Sequence, residues 1–158
     1  MSMTRIVNAV QIGRPPADVF DYVTAPLNWP QWHPSSVSVD VNTGRSLRIG
    51  EQVWEVIVVG DRRDRVLWVV REYDRPHRWV IEGRGEHGGT AIITYRLSPA
   101  GRGTAFERDL VYQVSGIVLR LLDVLFIRGR MRAGSRQALE QLKRVLESSN
   151  TSGIGSPA

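Results

Sequence analysis

Between residues 4 and 114 apolar and polar side chains tend to alternate, the two-residue period of strands with one face in a core. In Thr4 to Ile12, Ile6, Val10 and Ile12 share one face, while Arg5, Val7, Ala9 and Gln11 share the other. Six further runs read as strands: 37–41, 51–59, 66–73, 78–82, 91–97 and 104–114. Gly60-Asp61, Asp74-Arg75-Pro76, Gly88-Gly89 and the Gly-rich stretch 99–103 are turn chemistry. Links this short favour consecutive antiparallel hairpins over helical crossovers between those strands.

The period changes after the first strand and again after position 116. Pro15-Pro16-Ala17-Asp18 opens a short helix, because proline suits the first turn and an acid there suits the helix dipole. Val19, Phe20, Tyr22 and Val23 supply its buried stripe. Prolines at 26, 30 and 34 restrict the next segment to a loop with one helical turn. From Ile117 to Leu146 the spacing is helical and unbroken, a length of roughly 45 Å at ~1.5 Å per residue. Ile117, Leu121, Val124, Arg128, Met131, Ser135, Ala138, Leu142 and Val145 predict its inward stripe, widened by Leu122, Leu125, Leu139 and Leu146. An antiparallel sheet with that helix across one face buries both apolar surfaces, an α+β domain over 1–147. Residues 148–158, rich in Ser and Gly, are expected to form a disordered tail.

Composition narrows the chemistry. The 158 residues include no cysteine, which excludes disulfides, thiolate metal sites and a thiol nucleophile. The net charge of +5 comes almost wholly from arginine, with Lys143 the only lysine. Those arginines are scattered, so no nucleic-acid partner is expected. No secretory signal or transmembrane helix is expected, since Arg120 and Asp123 interrupt the most apolar run, 117–127. A cytoplasmic monomer or homodimer is the reading, with core packing as the use of that run and transient membrane contact as the alternative.

Taken together, several motifs resemble the START-like (SRPBCC) superfamily, in its polyketide cyclase/dehydrase and lipid transport branch. They are the first strand with Gly13-Arg14-Pro15-Pro16-Ala17-Asp18-Val19-Phe20-Asp21-Tyr22-Val23, then Asn28-Trp29-Pro30-Gln31-Trp32-His33-Pro34. Val70-Arg71-Glu72-Tyr73-Asp74-Arg75-Pro76, Gly101-Arg102-Gly103-Thr104 and the Leu-rich terminal helix complete the set. The resemblance implies the helix-grip fold: a curved seven-stranded antiparallel sheet wrapped around the last helix, two short helices after the first strand, and a cavity between. The superfamily embraces lipid carriers, receptors, cyclases and co-chaperones, so the fold leaves function open.

Strand alternation then nominates the residues of such a cavity. Glu55 is expected to face water, which sends Trp54, Val56 and Val58 inward. Trp68, Val70, Trp79, Ile81, Ile93, Tyr95 and Leu97 follow by the same rule. On the last strand Glu107 and Asp109 point out, so Phe106, Arg108, Leu110 and Tyr112 point in. Trp32 and His33 are placed near the mouth, with Leu121, Leu125 and Met131 on the helix side. Aromatics at such positions also serve simply to fill a core.

Arg108 is the sharpest candidate. Its charge cannot be neutralised, so an inward guanidinium needs a carboxylate, a carbonyl, water or an anionic ligand group. It could orient a ligand's polar head together with Tyr95 or Tyr112; a register slip or snorkelling at the sheet edge are the alternatives. The catalytic candidates are Arg108, Tyr95 and His33, with no assured carboxylate partner for the histidine. His33, His77 and His87 form no metal motif, and no metal or cofactor is expected. The leading reading is a carrier or binder of a small hydrophobic molecule such as a lipid or polyketide. A cofactor-free cyclase, aromatase or dehydratase is the alternative, and a co-chaperone-like interaction module a further one.

Overall fold

A computed structural model describes residues 3–148. The chain forms strand β1 (Thr4–Ile12), helix α1 (Pro16–Val23), a 3-10 turn at Pro26–Asn28 and the single-turn helix α2 (Trp29–Trp32). Six strands follow: β2 (Ser36–Asp40), β3 (Gln52–Val59), β4 (Arg62–Asp74), β5 (Arg78–Gly85), β6 (Thr90–Ala100) and β7 (Gly103–Gln113). Helix α3 (Ile117–Leu122), a π-helical turn (Asp123–Ile127) and helix α4 (Arg128–Ser148) end the described chain without a break. The tail expected to be disordered lies outside the described residues, apart from Ser148.

The strands form one antiparallel sheet in the order β1-β7-β6-β5-β4-β3-β2. β2 to β7 is an uninterrupted meander, as the short turn-rich links predict. The β1–β2 connection alone travels between opposite edges of the sheet, and α1 and α2 make that journey. Gly60 and Gly101 hold φ of 63° and 58° in hairpin turns, a region that disfavours side chains bearing a Cβ. A register shift between Val70 and Glu72 marks a bulge in β4, the kind of irregularity that bends a strand and deepens sheet curl.

At one end the core is aromatic. Trp79 stacks on Tyr95 at 5.4 Å, and Tyr95 meets Phe106 edge-on at 5.2 Å. The buried indoles are anchored through their N–H groups: Trp79 donates to the Leu47 carbonyl at 3.0 Å and Trp29 to that of Val23 at 2.9 Å. α4 packs along β1 and against α2, burying Ser135, Ala138, Leu139, Leu142 and Leu146.

The first two turns of the terminal helix depart from the predicted stripe. Leu121 and Leu125 are 60% and 67% exposed, and Ile117 and Val124 face solvent with them. The inward positions are Asp123, which is buried, and Ile127, Met131 and Ser135, which border the interior. These lie four residues apart, a spacing an α-helix carries round by ~40° at each step. The π turn absorbs part of that drift, so a stripe extrapolated from α4 at 3.6 residues per turn runs out of phase. The anchor is polar: Asp123 accepts from the Tyr112 hydroxyl at 2.6 Å, with Thr4 and Arg128 each at 3.4 Å.

Candidate functional site

Between the sheet and the terminal helix lies a cavity of about 210 Å³. Trp29, Trp32 and Tyr95, all buried, line its closed end. Its open end lies between the tips of the β3–β4 and β5–β6 hairpins and the start of the terminal helix. Partly exposed Val59, Asp64, Gly89, Val114 and Ile127 line that side. Trp32 and His33, expected near the mouth, therefore sit toward the closed end.

The structure brings together ten of the nominated side chains around this space: Trp32, His33, Trp68, Ile81, Ile93, Tyr95, Arg108, Leu110, Tyr112 and Met131. Val70, Trp79 and Phe106 do point inward, but they are sealed in the core and do not border the cavity. Leu121 and Leu125 do not border it either, for the helical-phase reason given above.

β3 presents the opposite face from the one predicted. Val53 and Glu55 are buried, and Glu55, Ile57 and Val59 line the cavity. Trp54, Val56 and Val58 thus lie on the outer face of the sheet, where the Arg65 guanidinium covers the Trp54 ring at 4.6 Å. The expectation failed because β3 is apolar on both faces. Its one acidic residue points by polarity to a wet side, whereas here it is the buried group.

Glu55 is held from within the sheet. The Trp68 indole on β4 donates to Glu55 Oε2 at 2.8 Å. Burial pushes the carboxyl up from its ordinary value, and the neighbouring Ser36 hydroxyl, this hydrogen bond and the nearby Arg108 charge offset only part of that shift. The group thus favours its neutral, proton-bearing form more than an ordinary glutamate does.

Arg108 enters from β7 and is 6% exposed. Its Nη1 donates to Ser135 Oγ on α4 at 3.1 Å, while Nε has no partner. Among the described residues it forms no ion pair. The Trp32 Nε1 group is likewise buried without a partner. Each is an N–H donor belonging to a residue that lines the cavity, and each lacks an acceptor.

His33 follows α2 and accepts the Ser35 backbone N–H at Nδ1, at 3.2 Å. Burial first, and then the Arg108 charge, hold its imidazole well below the usual histidine range, so it is neutral near pH 7. Tyr95 is pushed up to about 12, mainly by burial, and stays a neutral phenol. The Tyr112 hydroxyl is committed to Asp123, which leaves its ring as the cavity wall. Among the described residues, no three His, Asp or Glu side chains gather as a metal-binding group requires.

A seven-stranded curled sheet closed by a terminal helix, with two short helices after β1, defines a helix-grip protein of the START-like superfamily. The chain belongs to the family of polyketide cyclase/dehydrase and lipid transport proteins, whose model matches residues 3–147. That membership supports a ligand-binding or polyketide-related role. Solved structures share the fold at low identity. TTHA0849 from Thermus thermophilus is 17% identical with a TM-score of 0.75, the match covering 92% of this chain and 99% of that one. Ara h 8.0201 is 13% identical with a TM-score of 0.65, over 93% and 99% of the two chains. DynU16, from the dynemicin biosynthetic locus, is 18% identical with a TM-score of 0.64, over 92% of this chain and 48% of its own. No curated protein matches the sequence.

Proposed function

We propose that the protein binds a small, largely apolar molecule whose oxygen-bearing end accepts hydrogen bonds from Arg108 and Trp32. The observation that carries this reading is the guanidinium itself. It is a permanent cation, nearly sealed from solvent, with one N–H group bonded to nothing and no carboxylate paired with it among the described residues. Such a group is costly in an empty protein and well suited to a carboxylate, enolate or carbonyl oxygen. The walls beyond it, Ile81, Ile93, Leu110 and the rings of Trp68 and Tyr112, suit a hydrocarbon or aromatic body. A cavity of ~150 Å³ accepts benzene, so about 210 Å³ suits a one- or two-ring molecule better than a diacyl lipid.

A second reading, proton-transfer catalysis of the cyclase or dehydratase kind, is favoured by one observation. Glu55 and His33 line the same cavity, with the acid biased toward its protonated form and the base toward its neutral form. Environments that displace two titratable groups in this way equip one to give a proton and the other to accept one. Arg108 would then stabilise the enolate oxygen between the two transfers.

Native mass spectrometry of the purified chain, with organic extraction of whatever accompanies it, tests the first reading. A bound one- or two-ring oxygenated molecule, displaced by an aromatic acid with quenching of tryptophan fluorescence, is the expected result. An empty protein that binds neither aromatic acids nor their neutral analogues at millimolar concentration would sink it. Turnover of a poly-β-ketone by the wild type, abolished in Glu55→Gln with binding intact, would promote the second.

A further inference from the structure

The segment between β7 and α4 is the most apolar stretch of the sequence, yet it faces solvent. Ile117, Val118, Leu121, Val124, Leu125 and Phe126 are each 60% to 76% exposed. Six large apolar side chains within ten residues are a contiguous patch, not the scattered surface leucines that need no explanation. Their outward direction is built in, because Asp123 on the opposite side is tied down by Tyr112, Thr4 and Arg128.

The charges around the patch share one sign. From 117 to 132 there are four arginines, at 120, 128, 130 and 132, against a single acid, Asp123, which is buried. Arg128 reaches Asp123 and Arg130 reaches Asp61 at 3.6 Å, while among the described residues Arg120 and Arg132 form no ion pair. The β3–β4 hairpin beside Arg130 adds Arg62 and Arg63, both exposed and also without an ion pair among the described residues. The other acids at these tips are engaged, Asp64 by His87 and Glu86 by Arg65.

We infer that this patch is a docking surface for a bilayer carrying anionic lipid headgroups. An apolar face rimmed by arginine matches the interface of such a membrane, hydrocarbon below and phosphate above. No helix among the described residues is long and apolar enough to cross a membrane, so the segment lies on the surface. A second copy of the chain fits less well, because a two-fold axis through the patch sets the arginine rim against itself. Val114 and Ile127, which bracket the segment, also line the open end of the cavity. Docking therefore turns the mouth toward the bilayer. The inference goes beyond the cavity reading and stands without it.

The test is co-sedimentation of the full chain with vesicles of phosphatidylcholine alone, or mixed with phosphatidylglycerol at about 7:3. Wild type is expected to bind the anionic vesicles at least tenfold more tightly than the neutral ones, and to be released in about 0.5 M salt. Leu121→Asp with Leu125→Asp should lose at least tenfold in partitioning. Arg120→Gln with Arg132→Gln should lose roughly tenfold to thirtyfold, at about fivefold per arginine. Both pairs alter exposed positions, so thermal unfolding should be unchanged; if the aspartate pair fails to fold, the glutamine pair still gives the answer. Absence of binding to anionic vesicles overturns the inference, as does wild-type binding by the glutamine pair. A dimer seen by light scattering, dissociated by the aspartate pair and with no vesicle binding, identifies the patch as an interface between copies instead.

Discussion

Replacing Arg108 by methionine should make the empty protein more stable and its ligand binding worse. The guanidinium is 6% exposed, donates to Ser135, lies beside the Tyr95 hydroxyl, and forms no ion pair among the described residues. Burying a charge without a partner costs several kcal/mol, and exchanging buried ionic groups for apolar ones of similar volume often gains about 1–4 kcal/mol. Against this, Ser135 Oγ loses its donor, a loss of about 1 kcal/mol. The Glu55 carboxyl also loses a favourable neighbour, though its proton-bearing form needs none. The balance is a gain of up to about 3 kcal/mol, or up to roughly 10 °C in Tm for a domain of this size. Affinity for an aromatic carboxylate should fall at least tenfold, while that for its neutral isostere changes by less than about threefold. Urea unfolding followed by circular dichroism, with calorimetric titration of the two ligands, reads both quantities. Destabilisation by more than about 1 kcal/mol would show the arginine to be a structural keystone, and equal losses for acid and isostere would remove its role in recognition.

Other residues give independent checks. Because Glu55 has a raised folded-state pKa, stability should decline as pH rises above 4.5 through the folded value. Glu55→Gln should abolish that decline and match wild type near pH 4, with chemical denaturation across pH as the measurement. His33 acts in the opposite sense. Its lowered folded-state pKa makes stability fall as pH drops below 6.5, and a His33→Gln variant should flatten that limb of the same profile. A Cβ at Gly83 would lie 2.5 Å from the Trp68 ring and 2.8 Å from Val66. Gly83→Ala should therefore cost about 1–3 kcal/mol and displace the Trp68 indole toward the cavity, seen as a shifted emission maximum and weaker ligand quenching. Asp123→Asn should leave α4 protected but speed amide exchange across 117–127, a loss of about 1–3 kcal/mol at the anchor.

The architecture was legible because its signals are local and redundant. Alternation in β1 and β7, paired from Thr4↔Tyr112 to Ile12↔Thr104, and the glycine turns each point to the same meander. Arg108 was legible for a related reason: it is the one charged residue among Phe106, Leu110 and Tyr112 on an otherwise apolar face. Glu55 was not. With Val53, Trp54, Val56, Ile57, Val58 and Val59 around it, β3 fits either face, and a polarity rule sends the acid to water. The Trp68 indole across the β3–β4 pair, with the Ser36 hydroxyl and the Arg108 charge nearby, makes the buried alternative tolerable, and these partners are tertiary facts. Asp123 is a similar case, since in sequence it interrupts an apolar run and in the fold it fastens that run down.

The π turn at Asp123–Ile127 makes this part of the surface tolerant of a change in length. Such a turn accommodates one residue more than an α-helix does in the same space. Deleting a single residue there would restore continuous α-helical winding and leave the helix on either side in its present phase, whereas the same deletion within α4 would rotate everything N-terminal to it by ~100°. Leu121 would keep facing solvent, and Asp123, if the residue removed follows it, would keep its alignment with Tyr112. A one-residue deletion, ordinarily a severe lesion inside a packed helix, would thus leave the boundary between surface and interior beside the cavity mouth where it is.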